Sequence, residues 1–193
     1  MTARAKPLGF TLIELLVALA VLALLLLLGM PSFTTFVRNS EIRSTAESIV
    51  NGLRTASAEA ANRNVRVAFT LAGGGDPSWA INVVKDPDTK ELEQPPIQAY
   101  SKSEAGRSTK VTVTPGNQLQ VTFTGLGRVQ NQGVPGDHLQ QIDIGPIVSG
   151  EARPLRIVVD DPNPADPAKP RGLRMCDPDP ALSALTPPDP RAC

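Results

Sequence analysis

The chain begins its pattern with a long apolar run. From Leu15 to Met30 no side chain is charged or polar, and counted from Phe10 the run is about 20 residues. As a helix rising ~1.5 Å per residue, that is enough to cross a ~30 Å hydrocarbon layer. One carboxylate, Glu14, interrupts its first turns. A charge there costs roughly 2.5–3.5 kcal/mol at a bilayer centre and less toward the edge, so it needs a partner. Pro31 follows, and a proline inside a helix removes one backbone hydrogen bond and kinks it. The pattern then turns amphipathic. Ile42, Ala46, Ile49, Leu53, Ala56 and Ala60 recur at steps of four and three, which is one helix face. Arg43, Glu47, Asn51, Arg54 and Glu59 fall mostly off that stripe. The spacing predicts a kinked helix from about Phe10 to Asn62, with the stripe of its second half laid on a sheet.

After Asn64 the period changes to two. Val65, Val67, Phe69 and Leu71 alternate with Arg66, Ala68 and Thr70, as in a half-buried strand. Trp79, Ile81 and Val83 predict a second strand after the turn at Ala72–Pro77. A short strand is expected around Ile97–Tyr100. Val111 and Val113, the turn Pro115-Gly116-Asn117, and then Leu119, Val121 and Phe123 read as a hairpin. Gly125-Leu126-Gly127-Arg128 follows as a bend that glycine permits. Ile142 and Ile144, then Leu155, Ile157 and Val159, predict the last strands. From Asp160 prolines dominate. They cannot donate to a ladder, so this tail reads as loop. The expected class is α+β: one long kinked helix packed on an antiparallel sheet domain. The expected segments are 1–9, a basic leader; 10–30, the apolar helix; 31–63, its amphipathic continuation; 64–160, the β domain; and 161–193, the tail.

Charge adds little. Lys plus Arg and Asp plus Glu are both 19, which gives no global electrostatic case for nucleic acid. Aromatics are 4% of the chain, so a core must rest on Val, Ile, Leu and Ala. The two cysteines, Cys176 and Cys193, lie near the C-terminus. In an extracytoplasmic domain they suggest one disulfide, with two free thiols as the alternative.

The segment before the apolar run holds Arg4 and Lys6 and no acid. A secretory signal peptide fits poorly, because the apolar run is long and no small-x-small cleavage site follows. An ordinary signal anchor explains a cytoplasmic N-terminus but not Glu14. Gly9-Phe10-Thr11-Leu12-Ile13-Glu14 closely resembles the cleavage and methylation motif of type IV prepilins. That resemblance implies cutting after Gly9 by a prepilin peptidase, N-methylation of Phe10, and pairing of Glu14 with the N-terminal ammonium of a neighbouring subunit. An acid and an amine that are each costly alone in lipid are far less costly together. It also implies a single pass through a bacterial inner membrane, a periplasmic C-terminal domain, and other pilin subunits as partners. Pro31 stands where such helices kink.

A narrower resemblance rests on Pro31-Ser32-Phe33, on Leu53-Arg54-Thr55-Ala56-Ser57-Ala58-Glu59-Ala60, and on Arg63-Asn64 leading into a strand. These are similar to the FimT/GspH group of minor pilins and pseudopilins, although the arginine usual in that stretch is absent from Ala56-Ser57-Ala58-Glu59. The resemblance implies a subunit of a type IV pilus or a type II secretion pseudopilus. Its second implication is DNA binding during transformation, associated with a Gly-Arg-x-Arg-type strand near the C-terminus. Here that spacing is broken. Arg171 precedes Gly172, Leu173 stands where the first arginine would be, and only Arg174 and Cys176 carry over. Arg153, Arg156, Lys169, Arg171, Arg174 and Arg191 could contact phosphates. Against them stand Glu151, Asp160, Asp161, Asp166, Asp177, Asp179 and Asp189.

Catalysis is not expected. The single histidine, His138, sits beside Asp137 in an expected polar loop, and no metal-ligand spacing or cofactor motif appears. Gly73–Gly75 lacks the helix start and Gly-Lys-Ser/Thr of a phosphate cradle. Asp86 and Asp88 lack the oxygen-rich spacing of a calcium loop and read as a solvated turn.

Overall fold

The computed structural model describes residues 10–86, 88–89, 91–101, 103, 108–130, 138–148, 152–159, 172–185 and 189–193; within the first helix the side chains of 27–32 are not described. The elements are α1 (Leu12–Arg63), β1 (Val67–Gly73), β2 (Asp76–Asp86), β3 (Glu91–Leu92), β4 (Gln98–Tyr100), β5 (Thr109–Thr114), β6 (Gln120–Phe123), β7 (Gln141–Pro146), β8 (Leu155–Val158), β9 (Arg174–Cys176) and α2 (Pro180–Ser183). The class is α+β, and all strand pairing within the sheets is antiparallel. Two compact units divide the chain, Met1–Val37 and Arg38–Cys193.

Helix assignment continues through Pro31. In the second unit the predicted stripe is the buried face: Ile42, Ala46, Ile49, Leu53, Ala56 and Ala60 are all buried. Gly52 sits between stripe positions because Phe69 and Trp79 press on the helix there. A Cβ at Gly52 would lie 2.9 Å from the Phe69 ring and 3.0 Å from Trp79. Trp79 Nε1–H donates to Ser48 Oγ at 3.2 Å, so the indole keeps a polar partner as it packs. The helix ends where Asn64 turns left-handed, at φ 52°. Val65 N–H then returns to the Ala60 carbonyl at 3.2 Å. Asparagine tolerates this conformation better than most residues, and the bond satisfies a carbonyl that the helix end leaves open.

The antiparallel strands form two sheets. One runs β3-β2-β1-β6, with β4 also on β2; the other runs β5-β7-β8-β9. Both contribute to one buried core, which includes Phe69, Ile81 and Val121 from the first and Ile142, Ile144 and Ile157 from the second. The core residues run from Ile42 to Val159. Arg38–Cys193 thus carries a complete core and folds as its own unit.

Three expectations are corrected. The hairpin over 111–123 does not form: β5 pairs with β7 in one sheet, while β6 pairs with β1 in the other. Alternation sets which face of a strand is buried but not which strand lies beside it. The predicted turn is real, with Gln118 N–H bonded to the Pro115 carbonyl at 3.0 Å, but it carries the chain from sheet to sheet. The tail is not all loop. Residues 174–176 hold no proline, so their amides are free to join a ladder, and β9 pairs Arg174, Met175 and Cys176 with Val158, Ile157 and Arg156. His138 is buried rather than in a solvated loop; the adjacent Leu139 N–H bonds to the Gln120 carbonyl at 3.0 Å and draws this stretch against β6.

Candidate functional site

The first candidate site is the start of α1. Gly9 lies outside the described residues. Phe10 precedes the helix and is 85% exposed. Thr11 and Glu14 bond reciprocally. Glu14 N–H donates to Thr11 Oγ1 at 3.3 Å, and Thr11 N–H reaches Glu14 Oε2 at 3.5 Å. This is a capping box, in which two amides that the helix leaves unpaired are taken up by side chains. The signal, Thr-x-x-Glu ahead of an apolar run, stands in the sequence, within the stretch that also carries the prepilin-like motif. Glu14 is therefore aimed back at the N-terminal end of its own helix, where the helix dipole favours an anion.

The helix that Glu14 caps is apolar all round. Leu15, Leu16, Leu19, Leu22 and Leu25 are each more than half exposed. Such a surface is stable only in lipid or against other helices. Among the described residues no helix is long and apolar enough to cross a membrane. Within the apolar run the described side chains end at Leu26, and Leu12 to Leu26 spans only ~22 Å at ~1.5 Å per residue. The expected run continues to Met30, beyond those side chains.

The second candidate site is the tail. Cys176 and Cys193 are bonded, with Cα atoms 5.1 Å apart. Arg174 Nη2 donates to the Cys193 backbone oxygen at 3.3 Å, and its Nε is buried with no hydrogen-bond partner among the described residues. Arg171 and Lys169 lie outside the described residues. Two of the other candidate phosphate contacts are engaged. Arg156 forks onto Asp143 at 2.7 and 3.3 Å. Arg191 forks onto Asp189 at 3.0 and 2.8 Å, and the hydrogen bonds from Arg191 hold the Asp189 carboxyl down at about 2. Arg153 is exposed. Among the described tail cations, Arg156 and Arg191 are thus paired with carboxylates and Arg174 is tied to Cys193.

The remaining candidates are structural. Asp86 Oδ1 accepts from Asp88 N–H at 2.9 Å, a local turn. Gly73, Gly74 and Gly75 all have positive φ and form the β1–β2 turn. Among the described residues no group of His, Cys, Asp and Glu is placed to hold a metal.

Two family models match. The prokaryotic N-terminal methylation motif covers residues 4–30, the stretch that holds Gly9, Phe10 and Glu14. The model of the type II transport protein GspH covers residues 45–162. No curated protein matches the chain. Among solved structures, the crystal structure of the type IV minor pilin FimU of Pseudomonas aeruginosa is similar, at 18% identity and a TM-score of 0.44, over 64% of this chain and 86% of that one. Because the GspH model takes in more than half of the chain, the protein belongs to the GspH family of pilin-like subunits and carries that family's helix-on-sheet domain behind an N-terminal methylation motif.

Proposed function

We propose that this protein is a minor pilin or pseudopilin. It is held by a single N-terminal pass in the bacterial inner membrane, with residues from Arg38 onward in the periplasm. Prepilin peptidase cuts after Gly9, Phe10 becomes the methylated N-terminus, and the subunit enters a type IV pilus or a type II secretion pseudopilus beside other pilin subunits. One observation carries this reading: a single carboxylate, Glu14, placed by Thr11 at the start of an otherwise uniformly apolar, exposed helix. A carboxylate there gains most from an ammonium brought by a neighbour, because the pair costs far less in lipid than either charge alone. The role is one of assembly and needs no cofactor. DNA capture has less support, since Arg156 and Arg191 face carboxylates and Arg174 holds the C-terminal residue.

The test is Glu14→Val in cells. The variant should be cut after Gly9 and methylated, its mass differing from the mature wild type only by the Glu-to-Val exchange, and remain in the inner membrane, yet be depleted at least tenfold from sheared filaments. Wild-type incorporation would sink the pairing role. A product that retains residues 1–9 would sink the processing role.

A further inference from the structure

Between the end of α1 and the bend after β6 lies an open groove of about 840 Å³. Its floor is apolar: Val129 and Leu173 are half-buried in it over the buried Leu53 and Phe123, and Leu126 stands beside it 79% exposed. The two sides are pinned together. Ser57 Oγ donates to the Gly127 carbonyl at 2.7 Å. Gly127 has φ +71°, and a Cβ there would come within 3.2 Å of the Ser57 carbonyl. The glycine bend thus holds the groove open in one shape before anything binds, which lowers the ordering cost of a ligand.

Among the described residues that line it, the charge has one sign. Arg54 and Arg128 both line the groove. Arg54 also lines an adjoining cleft of about 250 Å³ together with Arg174 and Glu47. Among the described residues Glu47 is the one carboxylate in the two linings, and Arg43 engages it at 2.9 Å. Arg54 and Arg128 are exposed and have no ion-pair partner among the described residues. Two unpaired guanidinium forks beside an apolar floor match a ligand that brings carboxylates and aliphatic side chains together.

We propose that this groove receives an acidic, leucine-rich segment of a partner protein. Aliphatic side chains lie on Leu126, Val129 and Leu173, and carboxylates are forked by Arg54 and Arg128. Nucleic acid fits less well. A phosphate backbone gains nothing from an apolar floor, and Phe123 is too deeply buried to stack on a base. The proposal does not depend on the membrane anchor or on Glu14.

The experiment uses the Arg38–Cys193 unit, which holds the whole core and the disulfide. The probes are a fluorescent amphipathic helical peptide of leucine and glutamate, its leucine–lysine counterpart, and a duplex oligonucleotide. The leucine–glutamate peptide should bind saturably and weaken as salt rises. Arg54→Glu combined with Arg128→Glu should weaken it at least tenfold, about one decade in Kd, and Leu126→Asp should weaken it independently. All three positions are exposed, so melting temperature should not move. Absent binding, equal binding of the lysine peptide, unchanged affinity in the double variant, or preference for the duplex would each overturn the proposal.

Discussion

The two halves of α1 make an instructive pair. Both are rich in aliphatic residues and both are helical. From Ile42 to Ala60 the apolar residues keep to one stripe, and the chain covers that stripe with its own sheets. From Leu12 to Leu26 they occupy every side and are left exposed. Periodicity explains the difference: a stripe can be satisfied by one packed layer, whereas an apolar cylinder needs surroundings on all sides. The second half is therefore a matter of folding and the first a matter of environment, and substitutions should separate the two.

The largest expected effect is in the stripe. Leu53→Ala removes a fully buried side chain and should cost about 2–5 kcal/mol. Leu22→Ala in the apolar run should leave the melting of the same domain unchanged. Scanning calorimetry of the full chain in detergent checks both, and equal losses would erase the distinction. Next comes the tail. Cys193→Ser opens a bridge between residues 17 apart in sequence, which on chain-entropy grounds is worth about 3 kcal/mol. Amide exchange should rise in β9 while the Ile42–Ala60 stripe stays protected. If the stripe loosens as well, the tail is not separable from the core. Gly52→Ala drives a methyl against Phe69 and Trp79 and should cost about 1–3 kcal/mol by overpacking, visible as a lower melting temperature. The smallest effect concerns pH. The Asp189 carboxyl lies at about 2 against an ordinary 3.8, so its hold on Arg191 is fully present above 3.8 and is lost as pH falls through about 2. Exchange at 189–193 should rise in that window before any change in α1, and a tail insensitive to acid would refute it.

Much of this was legible in the residues. The stripe was, because every third or fourth position from Ile42 to Ala60 carries the same character. The strands around Phe69, Ile81, Val121, Ile144 and Ile157 were legible by alternation. Their partners were not. Nothing within Val111–Phe123 says that its two strands belong to different sheets, since pairing is settled by residues far along the chain. The tail misled because prolines on either side of 172–176 overshadowed a short stretch with free amides. At the N-terminus the sequence held more than was taken from it: Thr11 and Glu14 were in view, and their spacing is that of a capping box. The groove was beyond reach, since Arg54 and Arg128 are brought together only once β6 lies against the end of α1.

The register of β1 and β2 bears on the order of events in time. Val67 pairs with Val83 and Leu71 with Trp79 around one glycine turn, directly after the helix segment they cover. Contacts so near in sequence close quickly, whereas β1–β6, which pairs Val67 with Phe123, and β5–β7, which pairs Thr109 with Pro146, join distant stretches and close slowly. We therefore expect the last turns of α1 and the β1–β2 hairpin to form an early nucleus, with β9 docking late. Cys176 and Cys193 then meet only after the second sheet exists. Pulse-labelled exchange during refolding would show Phe69 and Ile81 protected before Met175, and simultaneous protection would dismiss that order. Oxidation would then act as a final stitch on a nearly finished domain rather than as a guide to its folding.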